Sequence, residues 1–190
     1  MSASSLVRRA RTASGHTQKQ VARVAGIDQS SISRIERGRD ADFNTITRIV
    51  NATGYQLVAL PTRRADVATL VSNIARDLKA NDTQRAIRDL IQLNDNLVAE
   101  RGLIRGVLAV AEPESTGNPL WDATIAAIVE WRLTEDHVPL PQWVGDSSRT
   151  LSTPTVLRLD PADPDPTFAD VPREFIKHGV LAWRDTFESV

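Results

Sequence analysis

The stretch TQKQVARVAGIDQSSISRIERG, residues 17 to 38, constrains this 190-residue chain more than any other. It holds two short amphipathic runs separated by a glycine. Thr17 is placed to cap the first run, Val21, Val24 and Ala25 have the spacing of an inward face, and Gly26 suits the left-handed residue that ends a helix. Asp28 is placed to cap the second run, whose Ile32 and Ile35 face inward and which Gly38 closes. A helix of about eight residues, a turn of three to four residues containing glycine, and a second helix have the spacing of a helix-turn-helix unit. Gly26 permits the reversal, and Ala22, Ile27, Ile32 and Ile35 would lock the two helices at a fixed angle.

With those side chains inside, Gln29, Ser30, Ser31, Ser33 and Arg34 remain on the exposed side of the second helix. They are what a base-reading surface needs. Gln can pair bidentately with adenine, Ser can donate to bases or phosphates, and Arg can take guanine or phosphate. Helix N-termini offer free amides to phosphate, and Thr17, Gln18 and Gln29 sit at two such ends. Lys19, Arg23, Arg37, Arg39 and Arg48 surround them.

Leu6, Val7, Ala10 and Ala13 fall at helical spacing before Ser14-Gly15, which predicts a first helix over residues 4 to 13. Asn44 or Asp42 opens a further helix with Phe43, Ile46, Ile49 and Val50 apolar, closed by Gly54. The run Tyr55, Gln56, Leu57, Val58, Ala59, Leu60 is then rich in strand formers and stopped by Pro61. A lone strand needs a partner. The same strand from a second copy would give a two-stranded ribbon and a homodimer; the alternative is pairing within the C-terminal part.

Charge divides the chain. Residues 1 to 64 carry eleven Arg/Lys against four Asp/Glu, a net of +7, and the remainder carries twelve against twenty, a net of −8. The first part is suited to a polyanion and the second would be repelled by one. Residues 65 to 111 read as helical, with Val67, Leu70, Val71, Ile74 and Leu78 on one stripe and Asp82 or Thr83 capping the next run. Asn118-Pro119 opens a helix containing Trp121, Ile125, Ile128 and Val129. The pattern fades through HVPLPQWV and into DPADPDP, where alternating prolines and acids predict a flexible segment at 160 to 167; the terminal PREFIKHGVLAWRDTFESV recovers order. The expected divisions are a DNA-binding domain over 1 to 62 with its strand at 55 to 60, a helical region over 63 to 111, and an acidic partner-binding or regulatory region over 112 to 190.

Residues 4 to 54 resemble the XRE family of phage-repressor-like helix-turn-helix proteins. The Thr-Gln opening, the Gly turn, the ISRIERG sequence and the later ITRIVNATGYQL carry the resemblance. It implies a mainly α fold: a four-to-five-helix repressor-like domain with a short dimerising strand, followed by a mostly helical C-terminal region with irregular segments. It also implies base reading by Gln29, Ser30, Ser31, Ser33 and Arg34, a phosphate held by Gln18, and symmetric dimers on a palindromic double-stranded operator. The fourth helix followed by GYQLVAL resembles antitoxins of the HipB type, where the strand forms an intermolecular ribbon. WDATIAAIVEW and the terminal segment are similar to the tails of actinobacterial toxin-associated XRE proteins.

An enzyme is not expected. His16, His137 and His178 are far apart in the sequence, each at an apparent turn or helix end, and read as ordinary surface or capping residues without metal-ligand spacing. Asp160, Asp163, Asp165 and Asp170 read as a solvated charge run, because the interleaved prolines forbid the wrap of a calcium loop. There is no Gly-rich phosphate loop, no nucleophile elbow and no cysteine. Neither a cofactor nor a metal is expected. Trp121, Trp131, Trp143 and Trp183 read as core or interface anchors, or as the grip on a protein partner. No run suits a membrane span and MSASSLVRRARTASG lacks the apolar stretch of a signal peptide, so a cytoplasmic protein is expected. These features predict a DNA-binding repressor, with an antitoxin whose acidic region neutralises a toxin as the leading form and a regulator whose helical region senses a small molecule as the alternative.

Overall fold

The computed structural model describes residues 3–59, 61–159 and 162–187. It is mainly helical and divides into two compact units, Met1–Pro61 and Thr62–Val190.

The first unit holds α1 (Ala3–Ala13), α2 (Gln18–Ala25), α3 (Gln29–Glu36) and α4 (Phe43–Ala52). Its helices begin and end where side-chain chemistry dictates. Thr17 and Gln20 form a reciprocal capping box at the start of α2, and Gly26 ends that helix at φ 65°, a conformation that costs other residues a Cβ clash. Asp42 caps α4 by accepting from the Thr45 N–H at 2.9 Å. Val7, Val21, Ala22, Ile32, Ile35, Ile46, Ile49 and Val50 form the shared core.

Two expectations change here. Val24 is 64 % exposed, not inward. The buried stripe of α2 is Val21, Ala22 and Ala25, centred about 100° around the helix from Val24. Arg48 is exposed like the other basic residues, but its guanidinium is engaged: it donates to the carbonyls of Ala25 and Gly26, at 2.5 and 2.9 Å, and closes the end of α2.

Tyr55 to Ala59 take part in no strand pairing within the chain, and Leu60 lies outside the described residues. Leu57 packs against the first core, whereas Val58 is 73 % exposed.

The second unit is built around one helix. α5 (Val67–Lys79), α6 (Thr83–Ala99) and α7 (Gly102–Val110) precede α8 (Pro119–Glu135); two short 3-10 turns, β1 (Thr155–Val156), α9 (Arg173–Lys177), β2 (Val180–Leu181) and a third 3-10 turn follow it. Every residue of α8 from Trp121 to Leu133 is buried, the charged ones included, as expected of a helix whose few polar residues gather on no one face. The second core runs from Val67 to Phe187 without a break. β1 and β2, which the sequence did not announce, pair in parallel with Thr155 opposite Val180.

The polar residues on α8 are satisfied, as burial requires. Asp122 accepts from the Ser115 and Thr116 hydroxyls and the Thr116 N–H. Arg132 donates to Asn94 and to the Phe187 carbonyl and lies 3.5 Å from the Trp131 ring centroid. Glu130 accepts from Lys177 at 2.6 Å and contacts His178 Nε2 at 2.8 Å. His178 is therefore not a surface residue: it is 1 % exposed and braces α9 against α8.

The tryptophans also differ from one expectation. Trp121, Trp131 and Trp143 are buried, which makes them core anchors and leaves no ring surface for a partner protein. Trp183 is half-buried, and its indole N–H donates to the Pro164 carbonyl at 2.9 Å. Of the segment expected to be flexible, residues 160 and 161 lie outside the described residues. The rest is tied down by that indole bond and by Arg158 to Asp165 at 2.6 Å.

Candidate nucleic-acid interface

α2 and α3 meet at the Gly26 reversal, with Ala22 and Ile32 buried and Ile27 packed against the same core. This leaves one face of α3 open. Gln29, Ser30 and Arg34 are exposed, and Ser31 and Ser33 half-buried. All five residues expected to read bases thus lie on one short helix with some surface available.

Arg34 folds back along α3, its Nε donating to the Ser30 carbonyl at 3.3 Å and its Nη2 to the Ser31 hydroxyl at 3.4 Å. Arg37 does the same to the Ser33 hydroxyl at 2.5 Å. Both are weak or exposed contacts that a phosphate or base could replace. Lys19, Arg23, Arg37 and Arg39 are all exposed around the motif. The capping box satisfies the N–H groups of Thr17 and Gln20 and does not use those of Gln18 and Lys19. At α3 the cap residue Asp28 makes no side-chain bond to the helix. Both helix starts therefore keep donors of the kind that hold phosphate.

Beneath this face lies a polar chain. Arg11 of α1 grips Glu36 at the end of α3 through Nε to Oε1 at 2.6 Å and Nη2 to Oε2 at 3.0 Å. The Glu36 side chain is only 4 % exposed. Gln18 Nε2 donates to Glu36 Oε2 at 2.9 Å, and Gln29 Nε2 donates to Gln18 Oε1 at 2.9 Å. Burial pushes the Glu36 carboxyl up, but the bonds from Arg11 and Gln18 and the nearby Arg11 and Arg8 charges outweigh it and hold the group below its ordinary value. The same pairing raises Arg11. Gln18, expected to hold a phosphate, thus also bridges the buried pair and the first residue of α3. Sequence reasoning missed Glu36. The available signal was an acid at the last turn of a helix otherwise surrounded by arginines.

An exposed second helix joined to the first by a Gly turn, in a unit carrying an excess of Arg and Lys, is the arrangement of a DNA-binding helix-turn-helix domain. Residues 7–60 match the family described as Helix-turn-helix, and the match ends within the first unit. No curated protein and no solved structure matches the chain. Among the described residues, no group of His, Asp or Glu could hold a metal ion and no helix is long and apolar enough to cross a membrane.

Proposed function

We propose that the chain is a sequence-specific transcriptional repressor that binds a palindromic operator as a homodimer, and that it is the antitoxin of a cytoplasmic toxin–antitoxin operon which it represses. The observation that carries the DNA reading is the open face of α3, with Gln29 at its start, Arg34 along it and Arg37 just past its end. Gln29, Ser30, Ser31, Ser33 and Arg34 read bases; Thr17, Gln18, Lys19, Arg23, Arg37 and Arg39 hold the backbone. Tyr55 to Leu60 pair with the same segment of a second copy, which places two α3 helices about one DNA turn apart.

The remaining part of the chain, with its net charge of −8, neutralises a basic, nucleic-acid-acting toxin. With three tryptophans buried, apolar contact area is offered instead by Leu103, Val107 and Val110. These are exposed at helical spacing along one side of α7.

Fluorescence anisotropy with labelled DNA from immediately upstream of the gene tests the first half of this reading, using the full chain at two salt concentrations. The expected result is tighter binding than to random DNA, weakening as salt rises. Arg23→Ala should weaken both DNAs alike and flatten the salt dependence. Equal affinity for upstream and random DNA would refute sequence-specific repression at that site.

A further inference from the structure

α7 carries one charged residue, Arg105, and buries it. Its outer side, Leu103, Ile104, Gly106, Val107 and Val110, therefore has no polar side chain from end to end. Leu103 is 73 % exposed and Val110 60 %. One such residue on a surface needs no cause, but a whole helix face left to water marks a contact. Leu103, Gly106, Val107 and Val110 stand at i, i+3, i+4 and i+7, the four positions that frame the hole for an inserted side chain when helices pack. Gly106 keeps that hole open. Its own flank is filled by Val138, whose Cγ1 would lie 2.9 Å from an added Cβ.

The two ends of α7 differ in charge. At the start, Arg101 and Arg105 share one carboxylate, Asp136, at 3.8 Å each, and Glu135 is paired with Arg132 at 3.1 Å. At the other end Glu112 and Glu114 are exposed, and the guanidinium within reach of Glu112, at 3.9 Å, is that of Arg149, which also faces Asp122 at 3.7 Å. One end thus has a cation to spare and the other has carboxylates to spare.

We propose that this face pairs with α7 of a second copy, antiparallel, about a two-fold axis passing between Gly106 and Val107. In that register Val107 enters the partner's hole beside Gly106, Leu103 meets the partner's Val110, and Arg101 meets the partner's Glu112. All three pairs are centred on the same axis, so a single register serves packing and charge together. A parallel pair would set Glu112 and Glu114 against their own copies, and it would align the helix dipoles instead of opposing them. One nine-residue helix buries far less than the roughly 800 Å² per partner of a free-standing interface. The inference therefore rests on the homodimer joined at residues 55 to 60, in which a second contact is intramolecular and a small area suffices. It also makes self-pairing and toxin binding at Leu103, Val107 and Val110 mutually exclusive: a toxin taking this face must first part the two copies.

The full chain has no cysteine, so single cysteines report the pairing directly. Val107 lies half a residue from the axis. Leu103 and Val110 lie three and a half residues from it, which sets each about 10 Å from its own copy, beyond the roughly 7 Å reach of a disulfide, but level with the other. Under mild oxidation Val107→Cys should form covalent dimer about tenfold faster than Leu103→Cys or Val110→Cys alone, and an equimolar refolded mixture of those two should regain the fast rate. At low salt, Glu112→Arg added to Val107→Cys should slow linking by about threefold or more, and Arg101→Glu added to both should restore it.

If Val107→Cys links no faster than the other two in a protein that light scattering shows to be a dimer, α7 does not face its own copy, and the inference is overturned while the homodimer stands. A rate unmoved by Glu112→Arg would overturn the antiparallel register. A monomeric mass without linking would take down the homodimer and the inference together.

Discussion

Replacing Arg11 by Met tests the buried pair as a source of stability and separates it from an ordinary surface ion pair. Methionine keeps much of the aliphatic stem and removes the guanidinium. The variant loses two bonds to Glu36, at 2.6 and 3.0 Å, and one from Nη1 to the His16 carbonyl at 3.1 Å. Leaving one member of a buried pair unpartnered costs about 3–5 kcal/mol. The Arg11 side chain is 17 % exposed and Gln18 still donates to Glu36, so the cost falls at or just below the foot of that range, about 2–3 kcal/mol at pH 7. The cost should also depend on pH. Glu36 is held below its ordinary value in the folded wild type, so its stabilisation is present above the unfolded carboxyl range and lost as pH falls through the lower folded value. In the variant, burial acts without the guanidinium, and acid relieves a stranded charge instead of breaking a pair. The difference between the two proteins should therefore shrink by about 1 kcal/mol or more on going from pH 7 to about pH 3.5.

Urea unfolding with two probes measures this. All four tryptophans lie at or beyond residue 121, so their fluorescence follows the second unit alone, whereas far-ultraviolet circular dichroism follows both. The variant should shift the dichroism transition that has no fluorescence counterpart. A cost below about 0.5 kcal/mol at pH 7 would place the pair with exposed ion pairs and refute the reasoning. So would a cost that stays constant with pH.

Gly179 has φ 72°, and a Cβ there would sit 2.7 Å from the Leu151 carbonyl oxygen, whereas Gly117 has φ 82° and open space. Gly117→Ala should cost about 1–2 kcal/mol and Gly179→Ala at least about 1 kcal/mol more. Equal shifts in the tryptophan-detected urea midpoint would show that the Leu151 backbone yields. Arg105 is 1 % exposed and donates to the carbonyls of Glu100, Arg132 and Val98 at 2.8, 2.7 and 3.2 Å. Arg105→Met should destabilise the second unit by about 3 kcal/mol; a loss below about 1 kcal/mol would mean that water replaces the guanidinium at those carbonyls.

The first unit was legible because its signals are local. Thr17, Gly26, Gly38, Asp42 and Gly54 mark helix ends within a few residues of the apolar positions they bound. Val24 misled because valine at helical spacing is compatible with two adjacent faces, and only packing against α4 and α3 chooses between them. Glu36 was invisible for a different reason: its partners are eighteen and twenty-five positions away in the sequence. In the second unit, α8 has no polar face and so indicates no direction, while β1 and β2 are two residues each, too short for alternation to show. His178 and Glu130 meet across forty-eight positions, and no spacing rule connects them.

The complete burial of α8 also sets an order of events during synthesis. Its covering comes from both directions along the chain, from α6 and α7 before it and from α9, β2 and the 3-10 turns after it. A ribosome working at about 5–20 residues per second needs roughly 3–10 s to make the fifty-odd residues between Glu135 and Phe187. For that interval a helix with no polar face has only part of its cover, although α1 to α4 already have all the residues of their own core. Each nascent chain thus carries a folded DNA-reading unit ahead of an apolar segment still waiting for its last wall, and that interval is when a chaperone or a protease finds the most to hold.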